Sequence, residues 1–122
     1  MSKKILIVED SEDTRDFMKL LLESYGYEVI EAADGIEALD KFKNHQPDLI
    51  LMDISLPNVG GLTVTKAFRE LDATGNLPII AVTGFGKYYY QQAIEAGCND
   101  LISKPFDFEV LRPLIEKYLK AE

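Results

Sequence analysis

Five polar side chains follow short apolar runs in this chain. Glu9 and Asp10 follow Ile5-Leu6-Ile7-Val8, and Asp53 follows Leu49-Ile50-Leu51-Met52. Thr83 follows Ile79-Ile80-Ala81-Val82, and Lys104 comes just after Leu101-Ile102 and Ser103. If those runs are neighbouring strands, three carboxylates, a hydroxyl and an ammonium converge on one sheet edge. Carboxylates held close together repel unless a cation sits among them. The donors are all oxygen, with no His or Cys among them, which disfavours zinc and points to a hard ion. Mg²⁺ is the expected one, bound by a couple of carboxylates with water and a phosphate completing its shell. Lys104 supplies a point charge for a phosphoryl oxygen, and Thr83 a hydroxyl donor for a second. Such a clamp suits a phosphoryl-transfer transition state, whose charge spreads over the equatorial oxygens. Asp53 is then a candidate nucleophile that would become an acyl phosphate. Singly these signals are ordinary, because an Asp at a strand end usually serves a turn or a cap. Their joint occurrence, in order and at the right strand ends, is what carries weight.

The elements that would position them alternate two hydrophobic periods. The apolar runs, with Glu28-Val29-Ile30 as the second, are short and mostly continuous, as expected for strands covered on both faces. Between them lie helical stripes: Phe17, Met18, Leu21, Leu22 and Tyr25; Ile36, Leu39 and Phe42; Val64, Phe68 and Leu71; Leu111, Leu114, Ile115 and Tyr118. Tyr88 to Ala96 reads as the remaining helix, ended by Gly97. Asp34 with Glu37 has capping-box spacing, Asp107 can cap the last helix, and Pro113 should bend that helix's first turns. Five strands alternating with helices predict a three-layer, doubly wound (βα)5 α/β fold with a parallel sheet. In such folds the site lies outside the carboxyl ends of the strands. The second strand ends near Glu31-Ala32-Ala33, which carries no obvious signal.

Composition narrows the function classes. The 122 residues suit one compact domain, 47% hydrophobic and 28% charged, and the net charge of −8 would be repelled by nucleic acid and anionic membranes alike. Direct nucleic-acid or membrane binding is therefore not expected. The single cysteine, Cys98, forms no internal disulfide and reads as a small buried apolar residue. Ile5 to Val8 is too short for a signal-peptide core or a membrane span, so a cytoplasmic location is expected. His45, among Asn44, Gln46 and Pro47, has loop surroundings and reads as an exposed residue, not a phosphotransfer histidine.

With these segments in place, essentially the whole chain resembles the receiver domain of two-component response regulators, in its single-domain, chemotaxis-regulator-like form. The resemblance rests on Ile5-Leu6-Ile7-Val8-Glu9-Asp10, Asp48-Leu49-Ile50-Leu51-Met52-Asp53, Leu56-Pro57 with Gly61, Pro78 to Thr83, Ala96-Gly97 and Lys104-Pro105-Phe106. It implies a flavodoxin-like sheet of order 2-1-3-4-5 and one receiver domain over residues 1–122, with no output domain. It implies that Asp53 receives phosphate from the phosphohistidine of a histidine kinase or histidine phosphotransfer protein. Asp10 matches a direct Mg²⁺ ligand, Glu9 a carboxylate acting mostly through metal-bound water, and the Ser55 carbonyl the third protein ligand. Lys104 matches the phosphoryl-binding lysine, Thr83 the hydroxyl residue that moves toward the phosphoryl group, and Pro105 a residue preceded by a cis bond. Ser55 and Phe85 match positions that tune the acyl phosphate's lifetime.

One position departs from the pattern. The family's switch position in the fifth strand often holds Tyr or Phe, and here it is Leu101. In the family that aromatic couples the hydroxyl residue to a protein-binding face made by the fourth helix, fifth strand and fifth helix. Tyr88, Tyr89 and Tyr90 lie in the adjoining helix, where two readings stand: a ring packed in the core, or a partner-facing aromatic patch. The expected protein is thus a signalling switch, not an enzyme, catalysing only its own phosphorylation and dephosphorylation. The start at Met1 favours a stand-alone regulator over a receiver detached from a larger kinase. Two alternatives share the fold. A Mg²⁺-dependent aspartyl phosphatase usually carries an acid two residues after its nucleophile, where this chain has Ser55. A flavodoxin-like cofactor carrier needs a phosphate-cradling loop after the first strand, where this chain has Glu9-Asp10-Ser11-Glu12-Asp13.

Overall fold

Doubly covered strands need helices on both faces of the sheet, and the computed structural model has them. It describes residues 2–54, 60–84, 86–105 and 108–119. The strands are β1 (Lys4–Val8), β2 (Glu28–Ala32), β3 (Leu49–Asp53), β4 (Ile79–Thr83) and β5 (Asp100–Ser103). The helices are α1 (Glu12–Ser24), α2 (Gly35–His45), α3 (Gly61–Leu71), α4 (Gly86–Ala96) and α5 (Phe108–Leu119). All strand pairs are parallel, in the order β2-β1-β3-β4-β5. This is the expected doubly wound, flavodoxin-like α/β fold.

The alternation of side chains along each strand divides the interior in two. Leu6, Val8, Ile50, Met52, Ile79 and Ala81 join Ala38, Val64, Phe68 and Ala93 on one face, under α2, α3 and α4. Ile5, Ile7, Leu49, Leu51, Ile80 and Val82 join Met18, Leu22, Leu111 and Ile115 on the other, under α1 and α5. Every residue of β3 and β4 is buried, whereas the edge strands β2 and β5 are only partly so. The continuous apolar runs thus mark the sheet centre.

Helix faces differ from expectation at three places. Phe17 is 50% exposed, Ile36 69% and Leu71 43%, although each was assigned to an apolar stripe. Met18, Leu21 and Leu22 set the buried line of α1, and Phe17 lies one residue, about 100°, off Met18. In α2 the small Ala38 takes the innermost place, with Leu39 and Phe42 packed beside it. His45 is exposed as expected, but it is the last residue of α2, not a loop residue. Helix α5 runs through Pro113, whose missing N–H leaves the exposed Glu109 carbonyl without its helical donor. Asp34 caps α2 by accepting from Glu37 N at 2.8 Å, while Glu37 Oε1 accepts from Ala33 N, one residue before the usual capping-box donor. The Asp107 cap lies outside the described residues.

Register sets the strand ends level. Val8 pairs with Met52, Asp53 with Val82, and Thr83 with Ser103. Backbone bonds carry the ladder past the strands: Glu9 N donates to the Ala32 carbonyl, Ile54 N to Val82, and Lys104 N to Thr83 at 2.7 Å. The residues after β1, β3, β4 and β5 therefore share one edge. Among the described residues, no helix is long and apolar enough to cross a membrane.

Candidate functional site

Asp53 closes β3 and is 4% exposed, Glu9 follows β1 at 3%, and Thr83 ends β4 fully buried. Burial of two carboxylates is costly unless they are paired. Lys104 pairs with both: its Nζ lies 2.8 Å from Glu9 Oε1 and 3.4 Å from Asp53 Oδ2. Glu9 Oε2 also accepts from the Ser11 amide at 3.1 Å, and Ser11 in turn caps α1 by accepting from Thr14 N. The chain thus turns from β1 into α1 over three residues, Glu9 to Ser11, with Asp10 exposed at the turn. One carboxylate oxygen each from Glu9, Asp10 and Asp53 lie within 4.8 Å of one another.

Among the described residues, the Lys104 ammonium reaches this cluster of three carboxyl groups through Glu9 and Asp53. Burial raises the Glu9 carboxyl above its ordinary value; the Lys104 and Ser11 hydrogen bonds oppose the rise, and the Asp53 charge adds to it. Burial acts to lower the Lys104 pKa, but the Glu9 hydrogen bond and the Asp53 and Glu9 charges outweigh it and hold it raised. The two groups therefore differ in what prevails: burial for Glu9, and the attraction of two carboxylates for Lys104. This donor set, all oxygen and short of positive charge, fits a hard divalent ion.

A close backbone approach supports the same edge. A Cβ on Gly61, the first residue of α3, would run into the Ile54 Cα and lie 2.7 Å from the Asp53 carbonyl oxygen. Only glycine lets α3 start against the end of β3. Gly97, which follows α4, is held at φ +118, where side chains are strained, and accepts from Arg69 Nε at its carbonyl.

The expected residues come together in most cases. Glu9, Asp10, Asp53 and Lys104 form one cluster, with Thr83 joined to it through the Lys104 N–H. The Lys104–Pro105 bond is cis. Leu101 is half-buried, pairs in register with Ala81 and packs against the core under α2, α3 and α4, as does Tyr89. Tyr88 and Tyr90 are exposed, while Tyr89 is the ring that packs against the core. Tyr88 and Tyr89 meet edge to face at 4.9 Å. Ser55, Leu56, Pro57, Phe85 and Phe106 lie outside the described residues.

Two residues near the site were not anticipated. Arg15 Nη1 donates to the Glu9 carbonyl at 2.8 Å, and its Nε is 3.4 Å from Glu31 Oε1. The end of β2 therefore does carry a signal: Glu31 is an acidic residue in an otherwise apolar stretch, opposite an Arg in the helix that follows the acidic turn.

The family model for the response regulator receiver domain matches residues 5–116. The polar-differentiation response regulator DivK of Brucella anthropi is 43% identical over 120 residues, covering 98% of each chain. A response regulator structure from Chloroflexus aurantiacus is 34% identical, with a TM-score of 0.93 over 99% of this chain and 100% of that one. The receiver domain of a Pseudomonas aeruginosa sensor histidine kinase is 31% identical, with a TM-score of 0.90 and the same coverage; its structure has a magnesium ion coordinated in the active-site cleft.

Proposed function

The chain belongs to the response regulator receiver family, and on that footing we propose that it is a phosphorelay switch whose Asp53 is the phosphoacceptor. Receiver domains are signalling proteins, and a histidine kinase is the expected source of the signal. The observation that carries the reading is the undercompensated cluster: two buried carboxylates and one exposed one around a single lysine. The magnesium in the related kinase receiver supports the choice of ion.

In this reading Glu9, Asp10, Asp53 and the Ser55 carbonyl would hold Mg²⁺, which would supply charge neutralisation for the incoming phosphoryl oxygens. An Asp53 carboxylate oxygen attacks phosphorus as the bond to the donor imidazole nitrogen of a histidine kinase or phosphotransfer protein breaks. The imidazole regains a proton from solvent, and Asp53 becomes an acyl phosphate. Lys104 Nζ, which already reaches Asp53, follows one phosphoryl oxygen, and the Thr83 hydroxyl turns to another. Thr83 is fully buried, so its rotation changes the packing around it, and Leu101 and Pro105 belong to the part that responds. The downstream protein docks on the face of α4, β5 and α5, where Tyr88 and Tyr90 are exposed. Ser55 and Phe85 set the lifetime of the acyl phosphate. The whole chain acts as one receiver domain in the cytoplasm, a reducing setting that suits the free Cys98 thiol. No observation favours a phosphatase or a cofactor carrier.

The test is incubation with Mg²⁺ and acetyl phosphate, comparing intact masses of wild type and Asp53→Asn. Wild type is expected to gain one labile phosphoryl group and the variant none. A wild type that never gains it, or a variant that gains it equally, overturns the reading.

A further inference from the structure

Arg15 makes two contacts that the phosphotransfer step itself does not use. Nη1 donates to the Glu9 carbonyl at 2.8 Å, and Nε stands 3.4 Å from Glu31 Oε1. Lys19, one turn further along the same side of α1, holds the other Glu31 oxygen at 3.3 Å. The Arg15 side chain is only 16% exposed, so these contacts are largely shielded from water.

The carbonyl that Arg15 holds belongs to the peptide joining Glu9 to Asp10. That peptide is planar from one Cα to the next, so holding its oxygen restrains the plane and the two Cα atoms from which both side chains leave. Glu9 is restrained at its own tip by Lys104 and Ser11, whereas Asp10 is exposed and relies more on where its backbone is held. We propose that Arg15, oriented by Glu31, is a positioning residue for the divalent-cation site, holding the Glu9–Asp10 peptide so that both carboxylates meet one ion. This rests on the Mg²⁺ reading above. The role suits arginine, whose rigid fork holds a carbonyl and a carboxylate in one plane, while a lysine ammonium is a point charge on a flexible stem.

The test is a titration of the full chain with MgCl₂ by calorimetry, for wild type, Arg15→Lys, Glu31→Gln and Lys19→Met. Arg15→Lys keeps the charge but loses the fork, and should weaken Mg²⁺ binding about tenfold, as losses of supporting contacts around metal ligands do. Glu31→Gln should weaken it less. Lys19→Met, which removes only the other partner of Glu31, should leave it unchanged. Phosphorylation by acetyl phosphate across a Mg²⁺ series separates positioning from general damage: the Arg15→Lys rate should return to wild type at saturating Mg²⁺. Wild-type Mg²⁺ affinity in both Arg15→Lys and Glu31→Gln overturns the clamp alone, as does a rate deficit in Arg15→Lys that saturating Mg²⁺ does not relieve. A wild type that binds no Mg²⁺ overturns the clamp and the metal reading together.

Discussion

Asp72 and Glu9 are both acidic residues with nearly buried side chains, at opposite ends of the sheet, and they have been provided for in opposite ways. Asp72 ends α3, in the turn before β4. It accepts from the Thr74 amide and hydroxyl at 3.1 and 2.7 Å, from Leu77 N at 3.0 Å and from Arg69 Nη1 at 3.3 Å. Burial alone would raise its pKa, but the Thr74, Leu77 and Gly75 hydrogen bonds outweigh that and hold it below the ordinary value. Glu9 has one amide and half of one lysine, and its carboxyl is raised. A carboxylate that serves the fold is surrounded by donors. On the proposed Mg²⁺ reading, Glu9 is left short of them, and the ion would relieve the shortfall.

Removing each group should break that contrast cleanly. Asp72→Ala strips the acceptor from several donors and should cost about 3 kcal/mol in urea unfolding, with Mg²⁺ affinity unchanged. Lys104→Met leaves Glu9 and Asp53 facing each other without a cation. It should cost about 2 kcal/mol without Mg²⁺, less than a fully buried pair because the Lys104 side chain is 30% exposed, and added Mg²⁺ should restore most of it. Glu9→Gln goes the other way: without Mg²⁺ the variant should be more stable than wild type by about 1 kcal/mol, and it should bind Mg²⁺ more weakly. If Glu9→Gln is as destabilising as Asp72→Ala, the contrast is wrong.

Acidity sharpens the same point. The Glu9 carboxyl is raised above 4.5, so the folded state holds its proton longer than the unfolded chain does. Its contribution is present below that value and is lost as pH rises through the folded-state pKa. The Asp72 pKa is lowered below 3.8, so its contribution is present above that value and is lost as pH falls through the folded-state pKa. Subtracting the Glu9→Gln and Asp72→Ala unfolding curves from wild type across the acid range should therefore give slopes of opposite sign.

What could be read from the chain divides along the range of the interactions. The sheet was legible because β3 and β4 are buried on both faces and so carry unbroken apolar runs. The cluster was legible because parallel strands level in register place the residues that follow them on one edge. The sheet order came from the family resemblance. Arg15 and Glu31 were not legible: their pairing depends on a long side chain crossing from α1 to the end of β2, which no local period encodes. Phe17, Ile36 and Leu71 were misread because a helical stripe is broad, and the strand beneath chooses which of its members is covered. Asp72 drew no notice, since its partners gather only once the turn has closed around it.

The 2.7 Å bond from Lys104 N to the Thr83 carbonyl joins the two ends of a long excursion through α4 and β5. It acts as a clasp. Tyr88 and Tyr90, displayed on α4, are thereby carried by a segment whose two ends are tied together at the edge that holds the carboxylate cluster.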